Sequence, residues 1–284
     1  MTSHHLTPTD DGTFTIFSDE YGQAMHTLSG AYDESLLKHV VPSKILDRSD
    51  TCLRVLDVGF GIGYNVLALL DRFLKDPKGR RVEISSLEKE MVPVELLRGI
   101  VFPGSRGTLY EALKGLLETG QVDGDGFSAR LIIGDARRSV RQLPSSSFHA
   151  VFHDAFSPSK NPELWTVDFF REIYRAAADG SILTTYSSAP QVRGALLEAG
   201  FIVGKGPSVG NKREGTVAAK GDAAGQLNAV EIETIRRDVK STPYRDPGFS
   251  SSREEILARR IGEMKKLREC QKKGNNSGIK KDSK

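Results

Sequence analysis

The sequence predicts an α/β protein of the Rossmann-like kind: a mostly parallel, seven-stranded sheet with helices on both faces. Three observations carry that expectation. Short apolar runs alternate with helical stretches, the pattern of a parallel sheet covered on both sides. A glycine turn, Asp57-Val-Gly-Phe-Gly-Ile-Gly63, separates the first apolar run from the first helical one. Acids recur where successive strands should end, at Glu88, Asp135 and Asp154, and those ends border the ligand crevice of an open α/β sheet.

Taken in order, the strands are expected at Arg54–Phe60, Val82–Glu88, Ala129–Gly134, Phe148–Phe156 and Ser181–Tyr186. Phe201–Lys205 and Gly215–Ala219 would add a last, antiparallel pair. Helical periodicity covers Asn65–Phe73, Val92–Ile100, Leu109–Glu118, Arg137–Gln142, Pro162–Ala178 and Pro190–Ala199, the last opening on a proline, which suits a first helical turn. Gly120–Gly126 and Asp222–Gln226 read as Gly/Asp loops, and Ser241–Gly248 is rich in turn residues. A further helix should start at Ser251 or Ser252, where Ser-x-x-Glu makes a capping box with Glu254 or Glu255. Its apolar stripe of Leu257, Ile261, Met264 and Leu267 is expected to pack on the body, and after Gly274 the composition is that of disorder.

The 284 residues carry a net charge of +3 and are ample for a buried core. No apolar run approaches the roughly 20 residues that span a bilayer, and the N-terminus lacks the layout of a secretion signal. Cys52 and Cys270 form neither a metal nor a disulfide pattern, so no metal and a cytoplasmic setting without membrane contact are expected. Charge is uneven: residues 253–284 hold eleven Lys or Arg against five acids. That tail is either a solvated helix or an electrostatic arm for an anionic polymer.

The turn supplies the first chemical clue. Its order is G-x-G-x-G after an acid, not the dinucleotide G-x-G-x-x-G, and it resembles motif I of class I S-adenosylmethionine-dependent methyltransferases. The resemblance implies that Asp57, Gly59, Gly61, Gly63 and Asn65 border the methionine and ribose parts of the cofactor. Glu88, 25 positions beyond Gly63, would accept from the ribose hydroxyls, with Glu90 the nearby rival. Asp135 and the Ala136 N–H are placed for adenine, while Asp135 equally suits the N-cap of the helix at Arg137.

Asp154 closes the fourth strand and is the candidate catalytic acid. After it comes Ser157-Pro-Ser-Lys-Asn-Pro-Glu-Leu-Trp165, a proline-restricted loop. Phe156 and Trp165 would wall a substrate pocket, although a lone tryptophan equally suits a core anchor, and Lys160 could neutralise a phosphate. Asp57–Leu67, Leu87–Glu90, Gly134–Ala136 and above all His153–Thr166 resemble the MnmC-like tRNA methyltransferase domain family. Ser188-Ala, Val192-Arg193, Glu198–Phe201 and Gly210–Glu214 extend the likeness, as does Tyr21–Glu34 at the N-terminus, and coverage is roughly residues 15–220.

That resemblance implies methylation of a 5-aminomethyl group on a tRNA wobble uridine, often 2-thiolated, with S-adenosylmethionine as cofactor and no flavin. It also implies an anticodon stem-loop as partner and upstream wobble-uridine enzymes that supply the aminomethyl form. Asn161 falls in the matched loop, and Arg193, Lys212 and Arg213 become candidates for tRNA phosphates. The organisation expected is a lid segment over 1–50, a methyltransferase domain over 51–240, and a C-terminal turn, basic helix and tail over 241–284. Left open are a methyltransferase or aminopropyl transferase acting on a small amine or a protein, and a non-catalytic tRNA-binding module.

Overall fold

The central strand of the sheet is apolar on both faces, and this dictates a three-layer arrangement. The computed structural model describes residues 4–9, 13–24, 30–208, 214–221 and 226–278. The chain begins with a small antiparallel sheet of β1 (His4–Pro8), β2 (Phe14–Ser18) and β3 (Gln23–Ala24). Helix α1 (Ala31–Ser35) runs into a π-helical turn over Leu36–Val40, closed by the Val41 N–H donating to Leu36 O at 3.0 Å. The main body follows: β4 (Cys52–Val58), α2 (Tyr64–Phe73), β5 (Arg81–Glu88), α3 (Val94–Leu97), α4 (Gly104–Thr119), β6 (Gln121–Gly124) and β7 (Phe127–Ile133). It continues through α5 (Ala136–Gln142), β8 (Phe148–His153), α6 (Val167–Ala176), β9 (Ala177–Thr185), α7 (Pro190–Ala199), β10 (Ile202–Lys205) and β11 (Thr216–Ala219). Helices α8 (Ala229–Arg237) and α9 (Arg253–Gly278) come last.

The main sheet has the order β10-β11-β9-β8-β4-β5-β7-β6 among the described residues. Its five middle strands are parallel, and the flanking strands are antiparallel. The strand order reverses between β4 and β8, which opens the crevice at their carboxyl ends. One strand more is present than the seven expected. The Gly/Asp stretch read as a loop forms a hairpin instead, in which β6 turns through Asp125-Gly126 into β7, with Gly126 at φ 78°. An Asp-Gly pair between alternating apolar residues is itself a hairpin signal.

Leu53 and Val55 of β4 face a core made with α2, α4 and the N-terminal segment. Leu56 and Val58 face a second core with α5, α6 and α7. Each such side chain contributes about 1.5–3 kcal/mol on burial. The stretch expected as one helix over Pro162–Ala178 is broken at Thr166. A 3₁₀ turn covers Pro162–Trp165, then Thr166 is extended and its hydroxyl accepts from the Phe169 N–H at 3.1 Å, capping α6. Val92–Ile100 narrows to α3, and α4 begins at Gly104 rather than Leu109.

The C-terminal segment joins the second core. Val167 N–H donates to Tyr244 O at 3.0 Å, and Tyr244 and Ile256 are buried. The capping box forms reciprocally between Ser252 and Glu255. The expected apolar stripe of α9 does not pack as a unit, because Ile261 and Leu267 are 65% and 46% exposed. Arg260 holds the helix instead, donating to Thr242 O and Lys240 O with its guanidinium over the Tyr244 ring.

Asp246 anchors this junction. It is fully buried, accepts from the Ser250 and Ser251 N–H groups, and receives Arg137 at 2.8 Å. Burial opposes its ionisation, but the Ser251 N–H and Arg137 outweigh it and hold the carboxyl below its ordinary value. A depressed folded value contributes stability above the unfolded carboxylate range and loses it as pH falls through the folded value. Asp246→Asn should therefore cost about 2 kcal/mol in urea unfolding at pH 7. The difference from the parent should shrink as the pH drops below about 4.

Candidate active site

Three strand ends are stitched together around the glycine turn. Gly59 N–H donates to Leu87 O at 2.9 Å, Asp154 N–H to Val58 O at 2.9 Å, and Gly134 N–H to Glu88 O at 2.8 Å. Gly59, Gly61 and Gly63 all sit at positive φ (90°, 56° and 86°). Gly59 also has no room for a side chain, since a Cβ there would lie 2.8 Å from the Asp154 carbonyl oxygen. The Glu88 carboxylate accepts from the Gly61 N–H at 2.8 Å and the Lys89 N–H at 2.7 Å. Desolvation raises its carboxyl above the ordinary value, against those N–H groups. Ile133, level with Glu88 in the parallel register, is 45% exposed beside it.

A second cluster lies on the other side of the turn. Asn65, at the start of α2, donates from Nδ2 to Asp154 Oδ2 at 3.0 Å and to Asp57 Oδ1 at 3.4 Å. One amide thus bridges the carboxylates at the ends of β4 and β8. Ser86 Oγ donates to Asp57 Oδ2 at 2.9 Å. Asp57 is fully buried, and desolvation pushes its carboxyl up to about 7, with the Asp154 charge adding to the effect and Ser86 opposing it. Asp154 is more open, and His39 Nε2 approaches its Oδ1 at 3.7 Å. His39 comes from the π-helical turn and is 1% exposed. Nothing in the run Leu36-Leu-Lys-His-Val40 marks it as a site residue, because only the packing of that turn on β9 brings it here.

The N-terminal sheet roofs this region. Tyr21 stacks on Phe156 with ring centroids 4.3 Å apart, and Ser157 Oγ donates to Gln23 Oε1 at 2.7 Å. Phe156 thus lies against the N-terminal segment, with Lys160 exposed close to Gly22. Several other side chains expected to contact ligands are buried or engaged within the protein. Trp165 is 0% exposed and donates from Nε1 to Phe156 O at 2.7 Å. It braces the loop from below and has no face free for stacking. Asn161 is buried and donates to Glu163 at 2.9 Å. Arg193 is committed to Glu214, Gly215 and Thr216, so its cation is already neutralised. Asp135 is the N-cap of α5 and is gripped by Arg137, which holds its carboxyl low despite burial. Ala136 follows it, nearly buried. Lys212, Arg213 and the 25–29 stretch of the lid lie outside the described residues.

Residues 108–221 match a family model described as S-adenosyl-L-methionine-dependent methyltransferase. The crystal structure of MnmC2 from Aquifex aeolicus superposes with a TM-score of 0.84 at 34% identity, over 94% of this chain and 86% of that one. The chain belongs to the MnmC2-like family of S-adenosyl-L-methionine-dependent methyltransferases. An uncharacterised protein of Methanocaldococcus jannaschii is 33% identical over 94% of this chain and 74% of its own length. The bifunctional MnmC protein of Burkholderia vietnamiensis, named for tRNA 5-methylaminomethyl-2-thiouridine biosynthesis, is 31% identical over 72% of this chain. This MnmC2-like chain spans about a third of that protein's length.

The residues present fit the cofactor. S-adenosylmethionine carries a sulfonium and an ammonium, and the carboxylates of Glu88 and Asp154 border the crevice, with Asp57 buried behind the turn. Asn65 Oδ1 is buried without a hydrogen-bond partner among the described residues, an acceptor that a bound cationic ligand would satisfy. No described helix is long and apolar enough to cross a membrane.

Two expectations follow. Gly59→Ala forces a Cβ against the Asp154 carbonyl at positive φ, so it should cost about 1–3 kcal/mol in stability. Titration calorimetry should show S-adenosylmethionine affinity at least ~10-fold weaker, equivalent to ~1.4 kcal/mol, because the shifted turn and Asp154 backbone border the crevice. Asp57 has a folded value above its unfolded one, so the native state binds the extra proton between the two. Ligand-free protein should lose stability as pH rises from about 4 to about 7. Asp57→Asn should flatten that slope in chemical denaturation, leaving the part that the raised Glu88 carboxyl contributes.

Proposed function

We propose that this enzyme transfers a methyl group to the amine of 5-aminomethyluridine, with or without a 2-thio group, at the wobble position of tRNA. The observation that carries the reading is Asp154: a partly open carboxylate at the end of β8, beside the glycine turn, in a chain similar to proteins named for making 5-methylaminomethyl-2-thiouridine. The substrate side is the anticodon stem-loop, and upstream wobble-uridine enzymes in the cytoplasm supply the aminomethyl form.

When bound, S-adenosylmethionine supplies an electrophilic methyl on sulfur. Asp57, Gly59, Gly61, Gly63, Asn65 and Glu88 hold it, with Asp135 and Ala136 at the adenine end and Ile133 as an apolar surface there. Asp154 anchors the amine and keeps its nitrogen facing the crevice, and alignment is where such an enzyme gains most. Asn65 keeps the Asp154 carboxylate oriented and in the same hydrogen-bonded unit as Asp57. Phe156 and Tyr21 bound the space above, while Lys160, Lys212 and Arg213 supply charge to the RNA backbone.

Labelled methyl should pass to tRNA bearing 5-aminomethyluridine and not to unmodified tRNA. Asp154→Ala should lower turnover about 10²–10⁴-fold, with cofactor affinity changed only a few-fold. Equal loss of both would make Asp154 structural, and label appearing on small amines or protein alone would redirect the substrate class.

A further inference from the structure

A carboxylate alone is a poor answer to the chemistry at this site. An aminomethyl group is mostly an ammonium near neutral pH, and a neighbouring carboxylate stabilises that form. The nitrogen must nevertheless lose a proton before its lone pair can attack. The residues around Asp154 therefore need to include something that takes a proton more readily than a carboxylate does.

We propose that His39 pairs with Asp154 as the proton acceptor of the reaction, its fixed tautomer leaving Nε2 bare toward the carboxylate. Four observations support this. His39 Nδ1 lies 3.2 Å from Thr184 Oγ1. With the Thr184 hydroxyl donating to Val151 O at 3.4 Å, its oxygen accepts and Nδ1 carries the ring's proton, which is the tautomer assigned here. Nε2 then faces Asp154 Oδ1 at 3.7 Å. The other Asp154 oxygen is taken by Asn65, which turns Oδ1 toward the imidazole.

The backbone holding His39 is unusual as well. It lies in the π-helical turn, a conformation that often marks functional sites. The turn packs against α1, α2 and β9. The charged and titratable groups facing the imidazole are Asp154 and His153 on the β8 side and Asp57 on β4, with Asn65 of α2 between the carboxylates. Thr184 faces it from β9, Glu34 and the buried Lys38 come from its own segment, and the Tyr186 phenol donates to Ala155 O at 2.9 Å behind Asp154. Asp71, farther along α2, is engaged by Tyr32, Lys75 and Arg106.

The other histidine nearby is unsuited to the task. His153 is fully buried beside Trp165, and its Nε2 is 2.9 Å from Leu164 O, so it is the donor there. Burial pushes it down to about 4, and it stays neutral and structural. His39 differs in that its second ring nitrogen faces Asp154. Imidazole is also the side chain that exchanges protons near neutrality.

This inference rests on the aminomethyl reading above. In the step, the substrate ammonium gives one proton to the Asp154–His39 pair, which goes from one negative charge to none. The freed lone pair forms the new N–C bond as the S–C bond breaks, and that bond's electrons stay on sulfur. The product leaves as a secondary ammonium, and the pair returns its proton to solvent once the site opens. His39 acts through Asp154 and is a positioning residue that also holds the proton.

The test compares His39→Gln and Thr184→Val with the parent chain on aminomethyl tRNA between pH 6 and 10. Glutamine fills the same space and can reach Asp154 but takes no proton. Turnover of His39→Gln should fall about 10²-fold near neutrality, and the deficit should narrow as rising pH deprotonates the substrate amine. Thr184→Val, which keeps the volume but removes the acceptor for Nδ1–H, should show a smaller loss with the same pH trend. Affinity for S-adenosylmethionine and the melting temperature should stay near the parent's in both.

A readout independent of turnover is nitrogen NMR of the His39 ring in the cofactor-free protein, where the neutral ring should carry its proton on Nδ1 and leave Nε2 bare. A deficit equal at every pH, parental rates for His39→Gln, or an Nε2 that keeps its proton throughout would each overturn the proposal. A parent chain that binds the cofactor yet leaves aminomethyl tRNA unlabelled overturns the substrate reading first, and the parent arm alone reveals that.

Discussion

The site depends on one close approach, that of Gly59 to the backbone of Asp154. The two strands that carry these residues, β4 and β8, are neighbours in the sheet but far apart in sequence, and the order reverses between them. At their carboxyl ends the Asp154 N–H bonds to Val58 O, and the Asp154 carbonyl sits where any side chain on residue 59 would be. That contact decides where the glycine turn ends and where the acid begins. Glu88, Asn65 and Asp57 are then placed relative to it by short hydrogen bonds. Glycine is required there for lack of space as much as for its positive φ.

Around this contact the carboxylates divide by environment. Asp57 lies beneath the turn and is driven toward its neutral form by desolvation. Glu88 is also raised, but it keeps two backbone N–H partners. Asp135 and Asp246 are pulled the opposite way by Arg137, which ties α5 to the C-terminal junction. The acids beside the glycine turn thus differ in environment from the two bound to Arg137, which tie α5 to the C-terminal junction. Carboxylates so different in environment are a usual mark of divided roles.

The N-terminal segment is more than a cover. Its sheet reaches the loop after β8 through the Tyr21–Phe156 stack and the Gln23–Ser157 bond. The π-helical turn that follows brings His39 up to Asp154 from the opposite side. Tyr64, the first residue of α2, accepts from the Phe14 N–H, which fixes the hairpin on the body. The acid at the end of β8 is therefore enclosed by parts of the chain more than a hundred residues before it in sequence.

The sequence by itself determined the alternation of strands and helices, the glycine turn, the acids at strand ends and the capping box at Ser252. Each of these rests on local chemistry: apolar periodicity, backbone freedom, or a side chain reaching its own helix end. Tertiary structure alone decided which polar residues were free to act. Trp165, Asn161 and Arg193 carry functional groups suited to a substrate, yet packing spends all three on the protein itself. His39 gives no local signal and becomes part of the site only because a π-helical turn packs against β9. Burial and hydrogen-bond partners come from residues distant in sequence, and those partners decide what a side chain has left to offer a ligand.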